Sequence, residues 1–194
     1  MAFLDAEGLQ SLGLASLGED VRIDEDTRII GPERVHIGSH VRIDAFALLS
    51  AGKKGIVIGN HVHIAAHCFV TGAELVEIDD FAGISGRVSI YSSSDDFSGG
   101  SLTGPTIPNE LRRVDTRPVR VGRHVIVGAG SVILPGVTIH DGAGVGALSL
   151  VREDVPPFEI VGGSPARRLG PRDRALLELQ KRLLEREPEL RRPD

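Results

Sequence analysis

Apolar residues return along this chain every six positions. Leu17, Ile23, Ile29, Ile37, Ile43, Leu49, Ile58, Ile64, Val70, Ile78, Ile84, Ile90, Val121, Val127, Ile133, Ile139, Val145 and Val151 form a ladder of eighteen aliphatic anchors, spaced by six residues except at four breaks. A period of six matches neither the 3.6 residues of a helical turn nor the plain alternation of a strand, so the repeat itself governs the architecture. Each hexad reads aliphatic, small or acidic, any, any, small, any, as in IGSHVR from 37, IGNHVH from 58 and VGAGSV from 127. The first position needs a branched aliphatic to fill a core. The fifth takes Val41, Ala47, Val62, Cys68, Ala82 or Ser131, small side chains suited to an interior that narrows where short strands turn a corner. Three hexads make one triangular coil of an all-β parallel helix. Eighteen anchors then make about six coils, a prism roughly 29 Å long at ~4.8 Å per coil.

The breaks in the ladder lie between 29 and 37, 49 and 58, 70 and 78, and 90 and 121, with lengths of 8, 9, 8 and 31 residues. All four follow a third hexad, so every insertion leaves from the same corner of the prism, and insertions confined to one side of a solenoid mark its working edge. At the first three, Glu33, Lys53 and Glu74 stand where a small inward residue belongs. Val35, Ile56 and Val76, each two before the next anchor, are expected to take over that inward place. The fourth insertion, from about Ser92 to Arg117, is rich in Ser, Gly, Pro and Thr; a loop this long inside a compact repeat is either functional or disordered, and function is the expectation.

Both ends read as helical. FLDAEGLQSLGL is expected to cap the first coil, whose open end would otherwise leave backbone groups unpaired. DRALLELQKRLLERE sets Leu176, Leu177, Leu179, Leu183 and Leu184 at helical spacing, with Glu178 and Arg182 as an i,i+4 pair. The expected organisation is a cap segment over 1–16, a β-helix domain over 17–170 with a protruding loop at 92–117, and a C-terminal helix over 171–194.

Composition narrows the function classes. The 194 residues carry 22 basic and 27 acidic side chains, a formal charge of −5, which argues against nucleic acid or an anionic membrane as partner. No apolar run approaches the length of a membrane span, and the first basic residue, Arg22, comes too late for a signal peptide, so a cytoplasmic location is expected. A single cysteine, Cys68, cannot build a disulfide framework.

The hexads, the long loop between the fourth and fifth coils, the run VRVGRHVIVGAGSVILPGVTIHDGAGVGALSLV and the closing VGGSPARRL together resemble the hexapeptide-repeat acyltransferases with a left-handed parallel β-helix. Within that superfamily the chain looks most like sugar and xenobiotic O-acetyltransferases and like N-acetyltransferases of nucleotide-linked amino sugars. Left-handed crossovers break the usual rule, so handedness comes from the resemblance. The resemblance also implies acetyl-CoA as donor, a sugar acceptor, no metal, and a homotrimer with sites between subunits. A pantetheine arm is thin and amide-bearing and lies well along small residues; Gly128, Ala129, Gly146 and Ala147 supply such a surface on adjacent coils. Arg167 and Arg168 are expected to meet cofactor phosphates, the alternative being solvated surface side chains.

Relatives acting on sugar hydroxyls carry a histidine just after the fourth coil, in a sequence like Tyr-Thr-Ser-Asp-His-Pro. Counted from Ile90, that place falls on Asp95, with Asp96 beside it, and this chain has no histidine between His67 and His124. Counted back from Ile78, the place where relatives line the acceptor pocket with Asn or Asp falls on His67. The expectation is an exchanged pair: His67 accepts the proton, and Asp95 or Asp96 orients it or the acceptor. An amine acceptor needs a strong base less than a hydroxyl does, which tilts the reading towards amino sugars. Two alternatives stay open. A γ-type carbonic anhydrase would need three histidines on zinc, for which His61, His63 and His67 are the candidates; a β-helix scaffold without activity would explain the missing histidine.

Overall fold

The computed structural model describes residues 2–186, and the expected C-terminal segment therefore lies outside the described residues from 187 onward. The hexads form a left-handed parallel β-helix with three sheets. The first sheet stacks Ser16–Leu17, Val35–Ile37, Ile56–Ile58, Val76–Ile78, Val119–Val121 and Thr138–Ile139. The second stacks Arg22–Ile23, Arg42–Ile43, His63–Ile64, Gly83–Ile84, Ile126–Val127, Gly144–Val145 and Glu159–Gly162, then adds Arg167–Pro171 antiparallel at its edge. The third stacks Arg28–Ile30, Leu48–Ala51, Phe69–Gly72, Ser89–Tyr91, Val132–Ile133 and Leu150–Val151.

Anchors sit on anchors. Ile43, Ile64, Ile84 and Val127 are paired rung to rung in the second sheet and are at most 1% exposed. Small fifth-position residues, Cys68, Ser131 and Ser149 among them, are buried at the corners. Val35, Ile56 and Val76 are buried as well, and each extends its first-sheet strand backwards by one inward residue.

Six coils is an undercount, because a seventh turn closes the helix. Val155 bridges to Ile139 and Val161 pairs with Val145. The step from Val151 to Val155 is four residues, and Pro156 and Pro157 follow, so this turn drops out of a six-residue count.

The corners explain where the histidines fall. The fourth hexad residue adopts a left-handed backbone at His40, His61, Phe81 and His124 on the first corner and at Phe46, His67 and Arg87 on the second. Such a conformation costs a residue with a Cβ about 1–2 kcal/mol. On the first corner the same geometry stacks the four rings coil upon coil at centroid distances of 4.8, 4.7 and 4.9 Å, nearly parallel, and these contacts offset part of the strain.

The N-terminal helix, Ala6–Ser11, is capped by Asp5, whose carboxylate accepts from the Gly8 N–H at 2.8 Å, and Leu4, Leu9 and Leu12 pack against the core. The C-terminal helix, Ala175–Arg186, meets the first corner through Gln180, 2.8 Å from His124 Nε2. Its Glu178 pairs with Lys181 at 3.6 Å rather than with Arg182. Arg172 ties this end down: its Nη1 donates to the carbonyls of His124, Gly142 and Ala143 at 2.6, 3.0 and 2.9 Å. Arg172→Met leaves those carbonyls short of a donor and is expected to cost about 1–3 kcal/mol; an unchanged denaturation midpoint would show that the latch contributes nothing.

Candidate functional site

All four insertions leave the third corner, between the third and first sheets, as the ladder requires. The long one folds into an antiparallel ribbon, Ser93–Asp95 against Val114–Thr116, with a short 3-10 turn at Asn109–Leu111. Its root is buried Ser92, whose hydroxyl donates to the Glu74 carbonyl at 2.6 Å and whose carbonyl accepts from the Arg117 N–H at 3.0 Å. Between ribbon and prism lies a cavity of about 730 Å³, bounded by Asp95, Asp96, Arg113, Asp115 and Arg117 on the ribbon and by Leu134, Pro135 and Arg152 on the next two coils. That volume is ordinary for a small-molecule site.

The two aspartates differ. Asp96 accepts from the Ser98 N–H at 2.8 Å and from the Ser101 hydroxyl at 3.2 Å. Hydrogen bonding to Ser98 holds its carboxyl below the ordinary aspartate range, and its work is to shape the loop. Asp95 makes no side-chain hydrogen bond or ion pair among the described residues and faces the cavity.

The second corner carries the surface expected for a cofactor. Gly128 sits so close beneath the next coil that a Cβ would lie 2.4 Å from the Ala147 nitrogen, whereas Ala129 and Ala147 are exposed. Beneath the surface, the Ser131 and Ser149 hydroxyls both donate to the Gly146 carbonyl, at 3.0 and 2.6 Å. Gly128, Ala129, Gly146 and Ala147 are thus one continuous strip. Arg167 pairs in the ladder with Gly162, one coil further along, and its Nη1 reaches only the Ala166 carbonyl. Arg168 is engaged by Glu159 at 3.0 Å, so of the two arginines Arg167 is the one left available for a ligand.

His67 is exposed on this second corner, stacked on Phe46 at 5.0 Å. It does not meet Asp95 within one chain: the strand Ser89–Tyr91 crosses the whole third face between the two corners, because the loop that carries Asp95 leaves only after that strand. The three histidines considered for zinc also diverge. His61 is inside the ring stack of the first corner, His63 lies on the second sheet, and His67 is on the second corner; no group of three or more metal-binding side chains occurs among the described residues.

The carboxylate-oriented histidine is one that periodicity did not single out. His63 Nε2 lies 2.9 Å from Asp44, which also accepts from Arg42 Nε at 2.7 Å. Burial alone would raise the Asp44 pKa, but the hydrogen bonds from His63 and Arg42 outweigh it and the pKa lies below the ordinary value. A carboxyl depressed in the folded state adds stability above its unfolded pKa, near 3.8, and loses it as pH falls through the folded value. Asp44→Asn is therefore expected to lower stability at pH 7 and to flatten the acid limb below about pH 4; identical acid limbs for both proteins would refute the coupling. Ser85, one coil above Ala65 on the second corner, is not distinguished by periodicity either, since its hexad position is routinely small.

A scan against models of known protein families finds no match. The dTDP-4-amino-4,6-dideoxy-D-glucose acyltransferase of Escherichia coli is 43% identical over 180 residues, 93% of this chain and 94% of its own. AntD, an N-acyltransferase from Bacillus cereus solved with dTDP and 3-hydroxybutyryl-CoA, superimposes with a TM-score of 0.93 at 41% identity, covering 96% of this chain and 98% of its own. AntD has also been solved with dTDP-4-amino-4,6-dideoxyglucose and coenzyme A, and in variants changed at a serine or at an aspartate ten residues after it. Ser85 and Asp95 are the same two residue types at that same spacing. With identity of this degree along nearly the whole of both chains, the protein belongs to the hexapeptide-repeat sugar acyltransferases.

Proposed function

We propose that the protein transfers an acyl group from acyl-CoA to the amino group of a nucleotide-linked 4-amino-4,6-dideoxy sugar, by direct attack of the amine on the thioester. The observation that carries this is Asp95, a carboxylate left without a partner inside the loop cavity, in a chain whose full-length relatives act on such a sugar. An amine attacking the thioester carbonyl acquires positive charge while the carbonyl oxygen becomes negative. Asp95 accepts the proton from that nitrogen, the C–S bond breaks as the tetrahedral intermediate collapses to the amide, and the departing thiolate takes up that proton, so that CoA leaves as the thiol and Asp95 returns to its carboxylate. Ser85 is the candidate hydroxyl donor to the oxyanion, because it lies on the same corner as the Gly128–Ala147 strip, one coil below Gly128. The pantetheine follows that strip, with Arg167 at its phosphate end.

In one chain the strip and the loop cavity lie on opposite edges of the third face, and one hexad of extended chain across that face spans roughly 15–20 Å. A thioester on one edge cannot reach an amine on the other. The working unit therefore needs more than one copy, and the homotrimer that the family resemblance implies, with the second corner of one copy against the loop of its neighbour, supplies it; His67 then faces the neighbour's loop and lines the acceptor pocket. No described helix is long and apolar enough to cross a membrane, and acyl-CoA as donor supports a cytoplasmic setting.

Release of free CoA from acetyl-CoA or 3-hydroxybutyryl-CoA, with dTDP-4-amino-4,6-dideoxyglucose as acceptor, tests the activity. Turnover with this amine and none with a neutral galactoside is the expected result. Equal turnover with both would replace amine transfer by O-acylation.

A further inference from the structure

The loop cavity contains three aspartates and three arginines, and the hydrogen bonds divide them. Arg117 forms a two-pronged pair with Asp115 at 2.6 and 2.9 Å, and its guanidinium lies against Gly136, where a Cβ would come within 2.6 Å of it. Those two charges neutralise one another and brace the ribbon on the prism. Asp96 is absorbed by Ser98 and Ser101. Three charged groups have no such engagement within the cavity. Arg113 makes no side-chain hydrogen bond or ion pair among the described residues and is coupled only through space to Asp96. Arg152 stands 3.6 Å from its neighbour Glu153, with about half of its side chain exposed. Asp95 has no side-chain partner among the described residues.

We infer that Arg113 and Arg152 form the anion subsite of this cavity and hold the diphosphate of the nucleotide, while Asp95 receives the amine at the sugar end of the same ligand. The inference rests on the acyltransferase reading above and assigns the residues that select the acceptor. Arg113, Arg152 with only an exposed pair to its neighbour Glu153, and Asp95 are complementary to a molecule with a diphosphate at one end and an amine at the other. A free amino sugar would leave both guanidinium groups unanswered, and a neutral glycoside would leave all three. Guanidinium forks suit phosphate oxygens in a way a point charge does not. The two arginines also come from different walls, Arg113 from the ribbon and Arg152 from the coil two turns beyond the loop's root. A diphosphate between them would fasten ribbon to prism and fix the reach of Asp95.

The test uses dTDP as the probe, with calorimetry on the full chain and on Arg113→Gln/Arg152→Gln. The expected result is that dTDP binds the parent protein and loses at least tenfold in affinity in the double variant, while CoA binds both alike. In turnover, KM for the nucleotide-linked amino sugar should rise by the same factor, with KM for acyl-CoA unchanged. Undiminished dTDP binding in the variant, or no dTDP binding by the parent, would overturn the assignment. Failure of the activity itself looks different: no CoA binding and no turnover with any amine, whatever the arginines do to dTDP. Should the double variant lose its fold, the single Arg152→Gln, whose side chain makes no hydrogen bond among the described residues, reads the same change.

Discussion

Asp95→Asn is expected to lower turnover of the amino-sugar acceptor by a factor on the order of 10² to 10⁴. Asparagine keeps the size of the side chain and one hydrogen-bonding oxygen but cannot take the proton the attacking amine must shed, so kcat should fall while KM for acyl-CoA stays put. Asp96→Asn is the informative companion. Its carboxyl serves Ser98 and Ser101 within the loop, so its loss should act through loop order and appear as lower thermal stability of the ribbon and a raised acceptor KM. A substituted Asp95 that still turns over within threefold of the parent would move the proton transfer elsewhere, with His67 of the facing corner next in line. Neighbouring carboxylates of this kind are distinguished by their partners; their order in the chain says nothing about which one is free.

Ile84→Ala should be the most damaging of the conservative core changes near the site, at about 2–5 kcal/mol. Ile84 is 1% exposed and is held between Ile64 and Val127 in the second sheet. Coils above and below are pinned by the same ladder, so the hole cannot collapse without breaking register, and the cost should fall in the upper part of that range. Ile84→Val keeps both branches at Cβ and is expected to cost about 0.5–1.5 kcal/mol. Because Ser85 follows directly, the alanine variant should also lose activity at temperatures where it is still folded. Equal urea midpoints for the alanine and valine variants would mean that the corner relaxes into the cavity.

Much of the fold is legible in one dimension because every coil repeats one requirement: a branched residue inward on each face and a small one at each corner. Local repetition of that kind survives translation along the axis, so a single register places Ile43 and Val127 correctly although they are 84 positions apart. The same register puts Cys68 inside and His67 outside, and it forces the four insertions onto one corner. It loses the seventh turn, where the spacing shortens to four at Val155 and two prolines follow. Corner histidines are legible as a column but not as a stack of rings, since periodicity carries no distance between side chains.

The site divides along the same line. The ladder's offsets, read together with the resemblance to the acyltransferases, brought Asp95 and the Gly128–Ala147 strip into consideration, and the closing VGGSPARRL brought in Arg167. Which charges are spent is a different matter. Asp115 with Arg117, Asp96 with Ser98, Glu159 with Arg168 and Asp44 with His63 are pairings made by loops and rungs that lie far apart or fold back locally, and each removes a candidate or creates one. The chain by itself determined the solenoid and the corner from which its insertions leave, since both follow from a six-residue repeat and its interruptions. Only the tertiary structure decided which carboxylate and which guanidinium groups are left over for a ligand, because that depends on distances across the fold, and a hydrogen bond is satisfied or lost within an ångström.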